Sequence, residues 1–147
     1  MTTDLFRLVY CSSNTIPTQG GDAAAEVASI LAASRVNNAR DGVTGALLYS
    51  DGCFAQVLEG DLGVVQRTFE RIQRDSRHGN VVVLEARRAE ARIFGMWDMA
   101  LAEAADPAKA KAILGRALTE PNGDAGTTVV ALLGGLVSRE GDWAHTT

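Results

Sequence analysis

Two polar side chains inside apolar runs stand out for the chemistry they could share. Tyr10 lies at the end of Leu5-Phe6-Arg7-Leu8-Val9-Tyr10, and Gln56 sits within Phe54-Ala55-Gln56-Val57-Leu58. Alternation along the second run groups Gln56 with Phe54 and Leu58 rather than with Ala55 and Glu59, which predicts that the amide faces inward. An amide buried without partners costs roughly 1–3 kcal/mol. A tyrosine hydroxyl can meet one end of it, but glutamine has an acceptor at one end and two donors at the other. The second end needs another group, and a buried heterocycle would fit.

Other reactive residue types offer less. The chain has 2 histidines, His78 and His145, the latter close to the C-terminal end, and so little material for a metal or histidine-based catalytic site. Cys11 and Cys53 lack metal-ligand spacing and fall in strand-like segments, where a free cysteine acts as a small buried hydrophobe. There is no Walker A loop, G-x-G-x-x-G after a strand, H-E-x-x-H or G-x-S-x-G elbow. These features argue against hydrolytic and metal catalysis.

The elements that must position Tyr10 and Gln56 can be read from periodicity. Leu5 to Cys11 reads as a strand ending in the turn-rich Ser12-Ser13-Asn14. Asp22 caps a predicted helix through Asn37, with Val27, Ile30, Leu31 and Ser34 on one face, stopped by Asn38, Asp41 and Gly42. Val43 to Ser50 and Cys53 to Glu59 form a hairpin about Asp51-Gly52, residues that tolerate positive φ. Leu62 to Asp75 is a second amphipathic helix through Leu62, Val65, Phe69 and Ile72. Val81 to Ala86 and Phe94 to Leu101 are strands four and five, joined by a solvated link carrying Arg87, Arg88 and Glu90. Two short apolar-faced helices follow, one opened by Pro107 and one spanning Val129 to Val137.

The order βαββαββ predicts an α+β sandwich of ferredoxin-like type, in which two helices cover one face of a mostly antiparallel sheet. The other face would be bare, and the C-terminal two-helix extension is its natural cover. The length of 147 residues, 46% of them hydrophobic, suits a single core of ordinary size. A net charge of −4 gives no general attraction to nucleic acid or anionic membrane. With no basic and apolar leader near Met1 and no run of about 18 apolar residues, a cytoplasmic location is expected.

Taken in order, six segments resemble the BLUF domain, the flavin-binding blue-light sensor. They are Arg7-Leu8-Val9-Tyr10-Cys11-Ser12, Ser34-Arg35-Val36-Asn37-Asn38, Gly42-Val43-Thr44-Gly45-Ala46-Leu47-Leu48-Tyr49, Gly52-Cys53-Phe54-Ala55-Gln56-Val57-Leu58-Glu59-Gly60, Asp75-Ser76-Arg77-His78 and Arg92-Ile93-Phe94-Gly95-Met96-Trp97-Asp98-Met99. Each is weak alone, whereas the glutamine segment joined to the upstream tyrosine and asparagine and the downstream tryptophan and methionine is specific. The likeness covers about residues 5–101.

The resemblance implies a noncovalently bound flavin, FAD or alternatively FMN, between the two early helices. Tyr10 would be its electron and proton donor after excitation. Gln56 would bridge Tyr10 and the flavin, changing orientation or tautomer in light so that a new hydrogen bond reaches the flavin C4 carbonyl. Asn38, which on its own reads as a helix C-cap, would fix the pyrimidine edge, and Ser34 would lie close to Gln56. Ile30 and Phe54 belong to the implied binding set. Asp75, Arg77 and His78 would face the ribityl and phosphate end, although a charged helix terminus is their plain reading. Trp97 and Met99, sharing strand parity, would lie in the mobile element that carries the signal. Ala55 departs from the family, which often has a large apolar residue there, so looser packing against the final helices is expected.

These readings imply a photosensor domain over residues 1–101 and a helical extension over 102–147 for output or dimer contact. The protein would be a sensor and not an enzyme, signalling to an effector supplied in trans or through a homodimer or higher homo-oligomer, since no cyclase or phosphodiesterase fits in the extension. A small ferredoxin-like acyl-phosphate hydrolase and a chromophore-free adaptor are the rival readings. The first leaves the buried Gln56 unexplained, and retention of Tyr10, Asn38 and Gln56 opposes the second.

Overall fold

The computed structural model describes residues 5–14, 23–50, 53–74, 78–95, 99–102, 107–119 and 124–144. In chain order these form β1 (Leu5–Asn14), α1 (Ala23–Asp41), β2 (Thr44–Ser50), β3 (Cys53–Asp61), α2 (Leu62–Gln73), β4 (His78–Arg88), β5 (Ala100–Ala102), α3 (Pro107–Thr119) and α4 (Ala125–Ala144). The sheet runs β4-β1-β3-β2-β5. Its first four strands are antiparallel neighbours, and β5 adds to β2 in parallel. Two split β-α-β crossovers, β1-α1-β2 and β3-α2-β4, thus interleave in the ferredoxin-like manner.

Period-two alternation divides the sheet into two apolar layers. Leu8, Tyr10, Leu47, Phe54 and Leu58 pack with Ile30 and Leu31 of α1 and Val65 of α2. On the opposite face Val9, Cys11, Ala46, Leu48, Ala55 and Val57 pack with Ala110, Leu114 and Ala117 of α3 and Val129 and Leu133 of α4. The C-terminal helix pair therefore covers the second face, as the apolar run at 129–133 predicts. Ala55, in that layer, is fully buried.

Several boundaries differ from the sequence reading, each for a local reason. Helix α1 continues past Asn37 to Asp41, because the stop is set by Gly42. At φ +72° Gly42 supplies the left-handed residue, and the Val43 N–H donates to the Asn38 carbonyl at 2.9 Å, the long-range bond of a Schellman cap. Asn38 is therefore inside the last turn and is not the cap. Strand β1 runs on to Asn14, since Ser12 and Ser13 pair with Phe54 and Cys53. Helix α2 stops at Gln73, short of Asp75, after an N-cap in which Asp61 accepts from the Gly63 N–H at 3.0 Å.

Strand β4 is longer at both ends than Val81–Ala86. His78 pairs with Asn14, so it opens a strand and does not trail a helix, and Arg87 and Arg88 pair with Arg7 and Phe6 and do not form a link. The largest correction concerns strand five, expected from Phe94 to Leu101: β5 is Ala100–Ala102, Phe94, Gly95 and Met99 are not strand residues, and 96–98 lie outside the described residues. β4 and β5 occupy opposite edges of the sheet, so the chain between them is consumed in crossing its width.

Leu114 and Leu133 are fully buried where the helix pair meets the sheet. Leu114→Ala or Leu133→Ala is expected to lower unfolding free energy by about 2–5 kcal/mol, read from urea denaturation at constant slope. A change near zero would show that the helix pair contributes little to the core.

Candidate functional site

Tyr10 and Gln56 are directly opposed across the β1–β3 ladder, so their side chains leave the sheet on the same face. Both are enclosed, at 0% and 2% exposure. The Tyr10 hydroxyl donates to Gln56 Oε1. The amide nitrogen donates to Met99 Sδ at 3.4 Å. Thioether sulfur is a weak acceptor, so the donor end of this buried amide is poorly served by the protein, while its acceptor end is well served.

The layer above is set by two helices of unequal reach. Helix α2 lies across β1, β3 and β4, whereas α1 meets the sheet chiefly along β2, with little contact between the two helices among the described residues. Phe69 of α2 stands against Tyr10 with ring centroids 5.4 Å apart, and Tyr49 and Phe54 form a second pair at 5.2 Å. Ile30, Ser34 and Asn38 follow at four-residue spacing on one stripe of α1. Ile30 and Asn38 are buried and Ser34 is half-buried.

The structure thus brings together Tyr10, Gln56 and Met99 by direct contact, and Ile30 and Phe54 in the same apolar layer. Met99 is not a strand residue. It precedes β5, and its side chain reaches the Gln56 layer with 2% exposure. Asp75, Arg77 and Trp97 lie outside the described residues, as does the His78 side chain.

Four residues were given no role by sequence reasoning, two of them at Met99 and two on the opposite face of the sheet. Arg35 of α1 donates from Nε to the Met99 carbonyl at 2.9 Å. A side chain at Gly45 would collide with the Val57 carbonyl and stand 3.4 Å from the Met99 methyl, so the strand must be bare there. Glu59 is fully buried, and beside it Arg7 is nearly so. Glu59 was legible: the alternation that turns Gln56 to one face turns Glu59 to the other, among residues the final helices cover. Arg35, on an exposed stretch of α1, gives no such signal.

Comparison with known proteins agrees with this geometry. The sequence profile described as "BLUF: Sensors of blue-light using FAD" matches residues 5–100. The chain belongs to the BLUF family. Similar solved structures include BlrB, a BLUF protein in its dark state, at 27% identity and TM-score 0.71 over 95% of this chain and 99% of that one. BlsA in its ground state gives 28% identity and TM-score 0.73 over 88% and 87%. Photoactivated adenylate cyclase subunit alpha of Euglena gracilis is 35% identical over 97 residues, 66% of this chain and 9% of the relative. The chain spans about a tenth of the length of the curated relatives it matches.

As a BLUF protein it is a blue-light sensor with FAD or FMN as cofactor. The donor set fits such a group. An isoalloxazine edge alternates acceptors and donors, and this face offers a phenol, an amide whose nitrogen has a sulfur as its acceptor among the described residues, and a second buried amide at Asn38. Among the described residues no helix is long and apolar enough to cross a membrane.

The cysteines of the BLUF domain are set for packing. Burial, reinforced by the neighbouring Cys53, pushes the Cys11 thiol up to about 12. Burial raises Cys53 too, partly opposed by Lys111. At pH 9 only about one Cys11 in a thousand would be thiolate. Cys11 is expected to resist iodoacetamide at that pH in the native protein and to react once unfolded in guanidinium. Labelling at the rate of a free thiol, scored by peptide mass, would contradict this placement.

Proposed function

We propose that Tyr10 and Gln56 are the photoactive pair of this sensor, and that light is converted into a change at Met99 and β5. One observation carries this reading: the buried Gln56 amide accepts from the Tyr10 hydroxyl at one end and rests on the Met99 sulfur at the other. When bound, the flavin supplies blue-light absorption and, once excited, a strong affinity for an electron. Tyr10 is the group able to release an electron and a proton together, because its hydroxyl already points its proton at Gln56. Turning or tautomerising Gln56 moves its acceptor and exchanges the sulfur contact for a better partner. Met99 then loses its hydrogen bond, and its unbranched side chain re-packs readily.

Asn38 is proposed to hold the pyrimidine edge from the last turn of α1, with Ile30 and Phe54 as apolar walls and Ser34 near Gln56. Asp75, Arg77 and His78 are proposed for the ribityl and phosphate end, where cations pair with anionic oxygens, and Trp97 is proposed to alternate with Met99. Residues 1–101 would sense and 102–147 would transmit. The domain would act without catalysis in the cytoplasm. The signal would leave by protein contact, to an effector in trans or across a homo-oligomer, because α3 and α4 share a core layer with β2 and β3.

The purified protein is expected to be yellow, with a small red shift under blue light that reverses in the dark. Tyr10→Phe and Gln56→Leu should each abolish the shift while retaining bound flavin, as judged by fluorescence released on denaturation. A flavin-bound variant that keeps the wild-type shift would remove that residue from the pair.

A further inference from the structure

The described part of the link that leaves β4, residues 89–95, lies on the face covered by α3 and α4, and a row of side chains holds it there. Arg7, Glu59 and Thr44 are register partners on β1, β3 and β2, side by side on that face. Arg7 Nη2 donates to the Ala91 carbonyl at 2.9 Å. Glu59 accepts the Ile93 N–H at 2.7 Å on Oε2 and the Phe94 N–H at 2.9 Å on Oε1. Thr44 Oγ1 and Arg7 Nε add to the same two oxygens at 3.0 and 3.5 Å. Arg92 donates to Thr44 Oγ1 at 2.9 Å, to the Glu59 carbonyl at 3.3 Å and to the Gly42 carbonyl at 3.0 Å.

The segment changes faces just beyond this row. Phe94, 1% exposed, packs with Leu114, Val129 and Leu133 on the helix-pair side. Met99 lies in the layer of Tyr10 and Gln56 on the other side. One end of the segment is therefore fixed by charge-assisted bonds to a buried carboxylate. The other end is held by a sulfur contact and by Arg35.

We propose that Glu59 is a positioning residue for signal transmission, the fixed pivot from which the segment carrying Met99 swings. With Ile93 and Phe94 clamped, a displacement at Met99 is passed into β5 and the layer beneath α3 and α4. With the clamp loosened, the same displacement is absorbed by sliding of the link. Only a carboxylate suits the position, because it accepts from four donors. A carboxamide has one acceptor oxygen and would set its NH2 against a backbone N–H.

This inference rests on the photosensor reading, and the test separates the two. In the full flavin-loaded chain, the red shift and the light-minus-dark hydrogen exchange over Ala125–Leu133 are measured for wild type and for Glu59→Gln. The expected result is a retained red shift with loss of the exchange difference. A wild type without a red shift overturns the photosensor reading, whereas Glu59→Gln keeping both signals overturns the pivot. Should Glu59→Gln fail to fold, Thr44→Val, which removes one donor to Glu59 and the Arg92 acceptor, is expected to weaken the exchange difference at unchanged red shift. An unweakened difference there also overturns the pivot. Asp61→Ala, which removes the cap of α2, is the stability control. If it too erases the difference, Glu59 acts only on stability.

Discussion

The donor end of the Gln56 amide is left on a sulfur atom in an interior that otherwise satisfies its polar groups, and much of the architecture follows from that mismatch. A buried donor facing a poor acceptor has more to gain from a change of partner than one already well bonded, since the penalty falls on the unmade bond. The β1–β3 register fixes Tyr10 opposite Gln56 and thereby fixes which end of the amide is satisfied. Bare Gly45 and the Arg35 bond to the Met99 carbonyl bring the sulfur to the other end. The amide is thus held between a strong and a weak partner.

The energy available from such a device is small. One rearranged neutral hydrogen bond contributes about 0.5–1.5 kcal/mol net, a bias of roughly two- to twelve-fold in an equilibrium. Driving an element from 1:99 to 99:1 takes about 5.5 kcal/mol. The responding element must therefore lie near balance in the dark. β5 has the weakest pairing among the described strands: it adds three residues to β2 in parallel at the sheet edge, far fewer than β1 pairs with β3 or β4.

Gln56 and Glu59 show what was legible in the sequence and what was not. Alternation along β3 was enough to bury Gln56 beside Phe54 and Leu58, and the leftover apolar run at 129–133 was enough to send the last helices to the opposite face. The same alternation sends Glu59 to the opposite face, where its burial went unread, and a buried carboxylate gains meaning only when its donors are known. Those donors are backbone amides at Ile93 and Phe94, which no side-chain pattern reveals. Strand five failed for a related reason. Phe94 to Leu101 has the composition of a strand, yet a link between opposite sheet edges must spend those residues on distance, and that constraint exists only once the strand order is known. The helix bound was drawn too early, at Asn37, because asparagine suits both a left-handed cap and a buried amide, and only Gly42 four residues on decides between them.

The two faces of β3 assign opposite mechanical characters to one strand. Gln56 faces the layer where its bonds are to a phenol and a sulfur, and Glu59, three residues later, faces the layer where it accepts from two backbone N–H groups, a hydroxyl and an arginine. A strand cannot shift one face without the other, because slippage by a residue would invert both. β3 is therefore a rigid frame against which a weak change on one face can be resisted on the other. The chain is tied to both faces, with Phe94 in the layer of α3 and α4 and Met99 in the layer of Tyr10 and Gln56. A bias of about 1 kcal/mol would be lost in a soft scaffold; under the proposed mechanism it would act on a chain held at Ile93 and Phe94 by the buried Glu59 carboxylate, toward the edge where β5 joins the sheet.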